Sequence, residues 1–588
     1  MLKLVKYLKP YRWPLMLTLL LLLGQALAEL SLPTLMADIV NNGVVYSVLN
    51  ETSRTYYIIQ TGGIMLAIAL LAGLASIASS YIAQRMAAGM ARNLRRDLFV
   101  KVESFSQSEF DAFSSASLIT RCTNDVSQVQ NLVNMSARML VYAPILGIGG
   151  VIMALTRSVS MSWIIALAVI LLVCFVVLIT SIVMPKFKIL QEMVDRLNKT
   201  SREILHGLMV IRAFGTQKHE KQRFDAVNTD LRDMGLFIGR VMAVVGPLIT
   251  FMLAGTQLLV IFMGAHHIAH SGLAIGDMMA FMQYAVQVIF AFMMVSMVLV
   301  MVPRAQVSAA RIAEVLEKEL TINDPDQPLT FPDSSPTDGL VAFNNVCFRY
   351  PGAEADVLEG ITFTAKPGQT TAIIGPTGSG KSTIVSLLLR FYDVTEGSVT
   401  LDGLDIRNVR QKDLRDKIGF VPQKGQLLTG TISSNIKYGN ADATEEEMTR
   451  FAEVAQALEF IQEKEEKFES EITQGGGNVS GGQRQRLSIA RALAKNPKII
   501  IFDDSFSALD FTTDVKLRRA LKEHTADATV IVIAQRIGTI MNAEQIIVLD
   551  EGRIVGTGTH EELLTSCPAY LEIASSQDLL ASEVNHVR

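Results

Sequence analysis

The sequence has little charge, few cysteines and few tryptophans for its length. Charged residues make up 19% of the 588 residues, whereas soluble globular chains carry about 25%. The cysteines lie far apart, with no CxxC pair and no histidine beside them, so they indicate neither a zinc site nor a disulfide framework; they are Cys122, Cys174, Cys347 and Cys567. The net charge of −4 shows no basic excess and therefore argues against a nucleic-acid partner.

Apolar residues dominate instead. They account for 49% of the chain, and the mean hydropathy is +0.32, which excludes disordered and collagen-like classes and indicates a large membrane protein. A hydrocarbon core needs about 20 apolar residues in a helix. Six runs meet this requirement, the third despite Pro144 and nearby glycines, and they are 15–36, 58–83, 139–156, 163–184, 241–266 and 274–302.

Basic residues predict how these spans are oriented. They are frequent at the start of the chain and in the second-to-third and fourth-to-fifth connections, whereas the short connections 41–57, 157–160 and 267–273 hold only Arg54 and Arg157. The positive-inside rule then places both termini in the cytoplasm of a multi-pass plasma-membrane protein. The first apolar run is too long for a cleavable signal peptide and lacks a small-residue cleavage site.

A change of pattern near residue 339 predicts a second domain. We expect a transmembrane domain with cytoplasmic extensions at 1–320, a Pro- and Asp-rich linker at 321–338, an α/β domain at 339–575 and a tail at 576–588. The candidate strands of the α/β domain are 341–350, 370–374, 398–401, 418–421, 499–502, 529–533 and 546–550.

The segment GPTGSGKS at 375–382 is the strongest chemical signal in the chain. It follows an apolar strand and precedes a helix, as a phosphate-binding loop must. Its glycines let backbone N–H groups face an anion at a helix N-terminus, Lys381 would reach the outer phosphates, and the Ser382 hydroxyl would coordinate Mg²⁺. The strand IIIFD ends in Asp503, a carboxylate suited to the same metal.

A second anion-binding signal is VSGGQ at 479–483, just before a helical run. Its backbone donors would again lie at a helix N-terminus. The sequence alone leaves open whether the two signals serve one nucleotide in one molecule.

Together these motifs resemble the nucleotide-binding domain of ATP-binding cassette (ABC) transporters, and the whole chain resembles an exporter half-transporter. The resemblance implies an all-α six-helix transmembrane domain followed by an α/β P-loop NTPase domain, with ATP and Mg²⁺ as ligands. It places an adenine-stacking ring at Tyr350 and a metal-sensing amide at Gln423, and it likens 121–125 and 210–214 to the stretches around the coupling helices. The ATP-binding residues it implies are Tyr350, Gly375, Thr377, Gly378, Ser379, Gly380, Lys381, Ser382, Thr383 and Gln423, and the metal-binding residues are Ser382, Gln423 and Asp503.

Two positions depart from the family pattern. The family has a glutamate as general base where this chain has Asp504, and a histidine near the γ-phosphate where it has Gln535. Aspartate is one methylene shorter, and glutamine cannot carry the positive charge of a histidine. The chain therefore resembles the degenerate-site subunit of heterodimeric bacterial multidrug exporters. This resemblance implies that residues of this chain would complete the ATP site of a partner subunit, and they are Ser480, Gly481, Gly482 and Gln483.

The expected cargo is a hydrophobic or amphipathic, drug-like compound. The last two spans are rich in Met and Phe, which suits either a polyspecific cavity or ordinary helix packing. Glu29 could attract a cation or form an interhelical hydrogen bond, and His266, His267 and His270 form an outer cluster better explained as a solvated loop than as a metal site. The candidate substrate residues, chosen because polar groups are costly in lipid, are Gln25, Glu29, Gln257, Gln283 and Gln287.

Two alternatives remain open at this point. One is a homodimeric exporter of lipid or peptide with two slow sites. The other is a membrane protein that binds ATP and regulates an associated channel or sensor without pumping.

Overall fold

The computed structural model describes the backbone of residues 2–45, 51–271, 273–332 and 338–586. It divides into two compact units. The first comprises Met1–Glu103 and Ser115–Lys318, and the second Ser104–Ser114 and Glu319–Arg588. Parts of three predicted segments lie outside the described residues. They are positions 46–50 and 272 of the predicted outer connections, 333–337 of the predicted linker and the last two residues of the predicted tail.

The described residues of the first unit form helices joined by short connections, with no strand among them. Within its described residues, six helical runs are long and apolar enough to cross a membrane, which confirms the predicted spans. Short π-helical segments, Ile39–Val45 and Arg121–Asp125, follow α1 and precede α5. The α-helices of this unit, with α3 assigned to the other unit, are α1 (Arg12–Asp38), α2 (Glu51–Glu103), α4 (Ser115–Thr120), α5 (Val126–Arg157), α6 (Ser162–His206), α7 (Leu208–Ala213), α8 (Gln217–Ser271) and α9 (Ile275–Glu317).

Glycine explains how the interrupted third span packs. A Cβ at Gly149 would lie 2.3 Å from Leu30 Cδ1 of α1, and one at Gly150 would lie 2.9 Å from Val288 Cγ2 of α9. The two glycines therefore let α1 and α9 approach α5 closely, as small residues do in membrane bundles. The buried Tyr284 of α9 adds a hydrogen bond to the Leu30 carbonyl oxygen at 3.0 Å.

Several helices are much longer than a bilayer is thick. Helix α2 has 53 residues and α8 has 55, which at 1.5 Å per residue gives about 80 Å against a hydrocarbon core of about 30 Å. The spans therefore continue into the cytoplasm. Helices α6 and α8 pack against each other, and the short helix α7 connects them. In the predicted second coupling stretch, at this connection, Val210 and Phe214 are exposed.

The described residues of the second unit form three sheets. The main sheet has the order β12-β11-β3-β10-β9-β6, in which β11, β3, β10, β9 and β6 run parallel and β12 is antiparallel. An antiparallel sheet has the order β2-β1-β4-β5, and β7 pairs with β8. The strands are β1 (Val341–Phe348), β2 (Leu358–Ala365), β3 (Thr370–Ile374), β4 (Glu396–Leu401), β5 (Leu404–Asp405), β6 (Ile418–Val421), β7 (Gly430–Thr431), β8 (Glu471–Ile472), β9 (Ile499–Asp503), β10 (Thr529–Ile533), β11 (Gln545–Asp550) and β12 (Arg553–Gly558).

The sequence analysis anticipated seven of these strands but not β2, β5, β7, β8 and β12. The short or exposed ones lack the continuous apolar run that marks a central parallel strand. The helices of this unit are α3 (Gln107–Phe113), α10 (Lys381–Leu388), α11 (Gln411–Asp416), α12 (Ile432–Lys437), α13 (Glu445–Val454), α14 (Leu458–Gln462), α15 (Gly481–Ala494), α16 (Phe511–His524), α17 (Ile537–Ile540), α18 (His560–Ser566) and α19 (Pro568–His586).

The central sheet is buried on both faces. Alternate residues of β9 enter different hydrophobic clusters, Ile500 and Phe502 on one face and Ile499 and Ile501 on the other. This two-sided burial is the reason that IIIF reads as one apolar run.

A piece of the first cytoplasmic connection belongs to this unit, which the predicted boundary at residue 320 did not anticipate. Helix α3 starts with a capping box between Ser106 and Glu109, and the backbone N–H of Thr321 donates to Glu109 Oε1 at 3.1 Å. Burial by itself raises the pKa of Glu109, but hydrogen bonds from Ser106 and Thr321 lower it to about 2. The Tyr392 hydroxyl donates to Asp111 Oδ2 at 3.0 Å.

Candidate nucleotide site and membrane polar cluster

The residues predicted to handle ATP follow the carboxyl ends of four neighbouring parallel strands. The phosphate-binding loop follows β3, Gln535 follows β10, Asp503 and Asp504 end β9, and Gln423 follows β6. Because parallel strands present their carboxyl ends at one edge of a sheet, residues more than 150 positions apart come together there.

The loop itself has the geometry of an anion cradle. Gly378 and Gly380 have φ values of +90° and +94°, which only glycine adopts readily. A Cβ at Gly375 would lie 2.1 Å from the Leu549 carbonyl oxygen, so the loop can turn only without a side chain there. The remaining predicted loop residues occupy the same turn and the first turn of α10; they are Thr377, Ser379, Lys381, Ser382 and Thr383.

Lys381 is folded back onto the loop. Its Nζ donates to the carbonyl oxygens of Gly375 and Pro376 at 2.8 and 2.7 Å, and burial lowers its pKa. Phosphate oxygens are charged and are therefore stronger acceptors than these carbonyl oxygens, so a bound phosphate would compete with them for the ammonium group. The side chain is therefore in reach of the loop that would hold the phosphates.

Two of the three predicted metal ligands also meet, whereas the third, Gln423, contacts Asp504. The Ser382 hydroxyl donates to Asp503 Oδ1 at 3.2 Å, and burial raises the Asp503 pKa. One hydroxyl and one carboxylate oxygen at this distance are hard ligands of the kind that Mg²⁺ binds, usually together with water and phosphate oxygens. The residues present therefore fit Mg²⁺, which would neutralise phosphate charge when bound.

Asp504 is held by the two glutamines. Its Oδ2 accepts a hydrogen bond from Gln423 Nε2 at 3.1 Å and another from Gln535 Nε2 at 3.0 Å. Its backbone lies in the left-handed region with φ +47°, and its N–H donates to the Ile533 carbonyl oxygen at 2.9 Å. The short side chain is thus fixed at its root and at its tip.

The VSGGQ segment forms a separate helix start. The Ser480 hydroxyl accepts from the Gln483 N–H at 3.2 Å, and Gln483 Oε1 accepts from the Ser480 N–H at 3.0 Å, so α15 begins with a capping box. Ser480 and Gly481 are exposed, and a Cβ at Gly481 would meet nothing within 4 Å. Open space in front of these groups leaves them accessible to a ligand or another chain.

Tyr350 lies in an aromatic cluster beside the loop. Its ring contacts those of Phe348 and Tyr392 edge to face, with centroids 4.9 and 5.2 Å apart. Its hydroxyl is 3.1 Å from Thr383 Oγ1. The predicted adenine-stacking ring is therefore linked to the loop on one side and to Tyr392 on the other.

Four of the five predicted substrate residues gather around α1 and α9. Gln25 Nε2 donates to Glu29 Oε1 at 2.9 Å, and the Tyr142 hydroxyl of α5 donates to Glu29 Oε2. Gln287 Nε2 is 3.3 Å from the Glu29 carbonyl oxygen. Gln283, one turn before Gln287 on α9, has its Nε2 2.9 Å from Met36 Sδ of α1. Gln257 is exposed on α8, and none of the described contacts joins it to this group.

The histidine cluster does not form a metal site. His266 and His270 stack with centroids 4.4 Å apart, but no group of three or more His, Cys, Asp or Glu side chains among the described residues could hold a metal ion.

Three polar residues near these sites were not among those predicted. Tyr392 lies between α10 and β4, and Tyr142 lies within the apolar third span. Arg138 was placed just outside the third span, whereas α5 runs unbroken from Val126 to Arg157 and carries Arg138 within it. An arginine adjoining an apolar run was the available signal for the last of these.

Comparisons with known proteins agree with this architecture. A family model for the ABC transporter transmembrane region matches residues 15–292, and one for the ABC transporter matches residues 358–507. An uncharacterized ABC transporter ATP-binding protein of Mycobacterium tuberculosis is 41% identical over 580 residues, covering 98% of each chain.

Two further relatives carry a cargo in their names. An ATP-dependent lipid A-core flippase of Haemophilus ducreyi is 30% identical and covers 98% of this chain and 97% of its own. A fatty acid ABC transporter ATP-binding/permease protein of Mycobacterium bovis is 32% identical over 82% of this chain and 75% of its own. A bacterial Atm1-family ABC exporter solved with ATP bound shares the fold, with a TM-score of 0.77, 24% identity and coverage of 96% and 98%.

Proposed function

Because this chain belongs to the ABC transporter family, whose ATP-binding domain couples ATP hydrolysis to transport, we propose that it is the weakly hydrolysing half of a heterodimeric exporter. ABC exporters act as dimers within a membrane, and the six spans and bacterial relatives place this one in the bacterial plasma membrane. A single observation carries the proposal: the carboxylate in the general-base position is held by two amide groups.

The geometry of Asp504 makes it a poor base. A general base must come within about 2.6–3.2 Å of the proton it removes, directly or through one water. Here Oδ2 already accepts two hydrogen bonds, from Gln423 and Gln535, at that distance. To take a proton from an attacking water with this oxygen, the carboxylate would have to give up or share these amide contacts. Aspartate also lacks the extra methylene with which a glutamate would reach past these donors.

The remaining residues support nucleotide binding rather than cleavage. The backbone of the loop and Lys381 would hold the phosphates, Tyr350 would stack on the adenine, and Ser382 and Asp503 would hold Mg²⁺ beside them. The exposed start of α15 would lie against the nucleotide of a partner subunit, where its N–H groups and dipole favour an anion. This chain would then bind one ATP tightly and help its partner to hydrolyse another.

The test compares ATPase rates of the chain alone, of the complex purified from its own membrane, and of that complex with the partner's catalytic carboxylate changed to its amide. We expect slow turnover alone, rapid turnover in the complex and near-complete loss in the third sample. Asp504→Asn should change the rate of the complex little. Asp504→Glu combined with Gln535→His should restore turnover at this chain's site in the third sample, since general-base catalysis contributes about 10²-fold or more.

Each alternative has its own outcome. Rapid hydrolysis by the chain alone that Asp504→Asn abolishes would overturn the proposal, whereas a native complex of two identical copies with slow hydrolysis would favour the homodimer. ATP binding by the complex without hydrolysis or vesicle uptake would favour the regulatory protein. Asp503→Asn serves as the matched control, because it removes a carboxylate of the same size from the predicted metal site and should weaken Mg-ATP binding in every sample.

The cargo we propose is an amphipathic or hydrophobic compound, of which drug-like molecules are one class. A polar cluster inside an apolar bundle supports this choice, since polar groups in lipid are costly to retain without a role. The two relatives named for lipid A-core and fatty acid act on amphipathic molecules. ATP-dependent uptake of such compounds into inside-out vesicles tests it.

A further inference from the structure

A cavity of about 340 Å³ opens beside the polar cluster of the first unit. Helices α1, α5 and α9 form its walls, so it lies wholly within the membrane-spanning unit. Its lining divides into a polar part, with Gln25, Asn134 and Arg138, and an apolar part, with Leu22, Met139 and Met294. Such a division suits a ligand with one polar and one apolar end.

Glu29 lies next to this cavity but is not among the residues that line it. Both carboxylate oxygens accept hydrogen bonds, one from Gln25 Nε2 on the same helix and one from the Tyr142 hydroxyl of α5. The interhelical bond considered for Glu29 in the sequence analysis is therefore present. These neutral donors hold the carboxylate in place but do not remove its negative charge.

Gln25 is left with an unused acceptor. Because its Nε2 must face the Glu29 carboxylate, its Oε1 is the other end of the amide, and this atom is buried without a hydrogen-bond partner in the described structure. A buried acceptor without a donor costs about 1–3 kcal/mol. Gln25 itself lines the cavity, so a ligand donor, such as a hydroxyl, could pair with it.

Arg138 supplies the charge at this site. It lines the cavity, is exposed, and forms no ion pair with any residue in the described part of the chain. It lies 19 positions before Arg157, the outer end of α5. At 1.5 Å per residue this is about 28 Å, which places Arg138 near the cytoplasmic boundary of a hydrocarbon core of about 30 Å. A planar guanidinium there matches a phosphate or carboxylate.

We propose that this cavity binds an anionic amphiphile of the inner leaflet. Its phosphate or carboxylate pairs with Arg138, a neighbouring hydroxyl donates to Gln25 Oε1, and its hydrocarbon chain lies along Met139 and Met294. An anion is favoured over a cation because Arg138 lines the cavity and has no ion-pair partner among the described residues, whereas Glu29 does not line it. The inference rests on the proposed export of amphipathic compounds and specifies their charge.

The experiment measures binding and needs no ATP turnover. The full chain, in the complex purified from its own membrane, is placed in lipid nanodiscs with a lysophosphatidylglycerol that carries a photoreactive group in its acyl chain. Mass spectrometry then maps the label. We expect labelling around Met139, with competition by unlabelled lysophosphatidylglycerol and little competition by an alkyltrimethylammonium of equal chain length.

Three variants decide the role of the arginine. Arg138→Gln should reduce labelling about tenfold, the loss expected for a charge-assisted hydrogen bond. Arg138→Lys should retain much of it. Arg304→Gln removes an exposed arginine from the neighbouring helix α9 and should leave it unchanged. Unchanged size-exclusion behaviour and nucleotide binding show that each variant has folded.

Equal competition by the ammonium, or full labelling of Arg138→Gln, would overturn the inference. Labelling confined to other parts of the first unit would do so as well. These results are distinguishable from failure of the proposed function. A complex that transports amphiphiles but labels without charge preference refutes only the anionic site, whereas a labelled site in a complex that never transports refutes only the export.

Discussion

Tyr392 connects the first cytoplasmic connection to the predicted adenine site, and its two contacts can be removed separately. Its hydroxyl donates to Asp111 Oδ2 at 3.0 Å, and its ring supports Tyr350 edge to face at 5.2 Å. Burial and the hydrogen bond to Asp111 raise the Tyr392 pKa. Tyr392→Phe removes only the hydroxyl, whereas Tyr392→Leu removes the aromatic support too.

The two variants should therefore differ in nucleotide affinity. An aromatic pair contributes about 0.5–1.5 kcal/mol beyond its buried area, so Tyr392→Leu should weaken ATP binding about two- to tenfold. Tyr392→Phe should leave ATP affinity unchanged. Because Asp111 is exposed, its hydrogen bond is worth at most about 1 kcal/mol, and both variants should raise amide exchange in 104–114 up to about fivefold.

Equilibrium binding of a fluorescent ATP analogue and hydrogen exchange measure these effects. Asp111→Asn is the matched control, since it removes the charge from the same contact without touching the aromatic cluster. It should behave like Tyr392→Phe in both assays. Loss of ATP affinity in Tyr392→Phe equal to that in Tyr392→Leu would refute the separation of the two contacts, and so would unchanged affinity in Tyr392→Leu.

Three further predictions concern single contacts. Glu109→Gln should lower the local stability of 104–114, measured by hydrogen exchange, by about 1–3 kcal/mol. Because the folded pKa of Glu109, about 2, is below its unfolded value, its stabilisation is complete above about pH 4.5 and is lost as the pH falls toward 2. A contact that is equally strong at both ends of this pH range would contradict this prediction. Arg157→Gln should lower the free energy of unfolding of the first unit by about 1–2 kcal/mol, because Arg157 pairs with the half-buried Asp277 at 2.7 Å. A double-mutant cycle with Asp277→Asn, measured by thermal unfolding, should show coupling between the two residues. Strictly additive effects would speak against the ion pair. Ser480→Ala should destabilise the start of α15 by about 1 kcal/mol and slow ATP hydrolysis by the complex. Photolabelling of this chain's own phosphate-binding loop with an ATP analogue should stay normal. Weakened labelling would instead place Ser480 at the nucleotide bound by this chain's own loop.

Local patterns in the sequence determined the architecture. Six apolar runs of sufficient length predicted six spans because hydrocarbon thickness fixes how many apolar residues a helix needs. The phosphate-binding loop could be found because its glycines, lysine and serine are neighbours in sequence and act as neighbours in space. Even the departures at Asp504 and Gln535 were visible, since each is read against a fixed local motif.

Only the tertiary structure decided how distant residues meet. Gln423, Asp504 and Gln535 converge because three parallel strands end at one edge of the sheet, and no sequence interval encodes that distance. The hydrogen bond from Tyr142 to Glu29 and the position of Arg138 at the same cavity as Gln25 depend on how α5 packs against α1, which Gly149 permits. Composition and periodicity report a residue's own environment along one element, whereas the pairing of charges and donors depends on contacts between elements, and these exist only once the chain has folded.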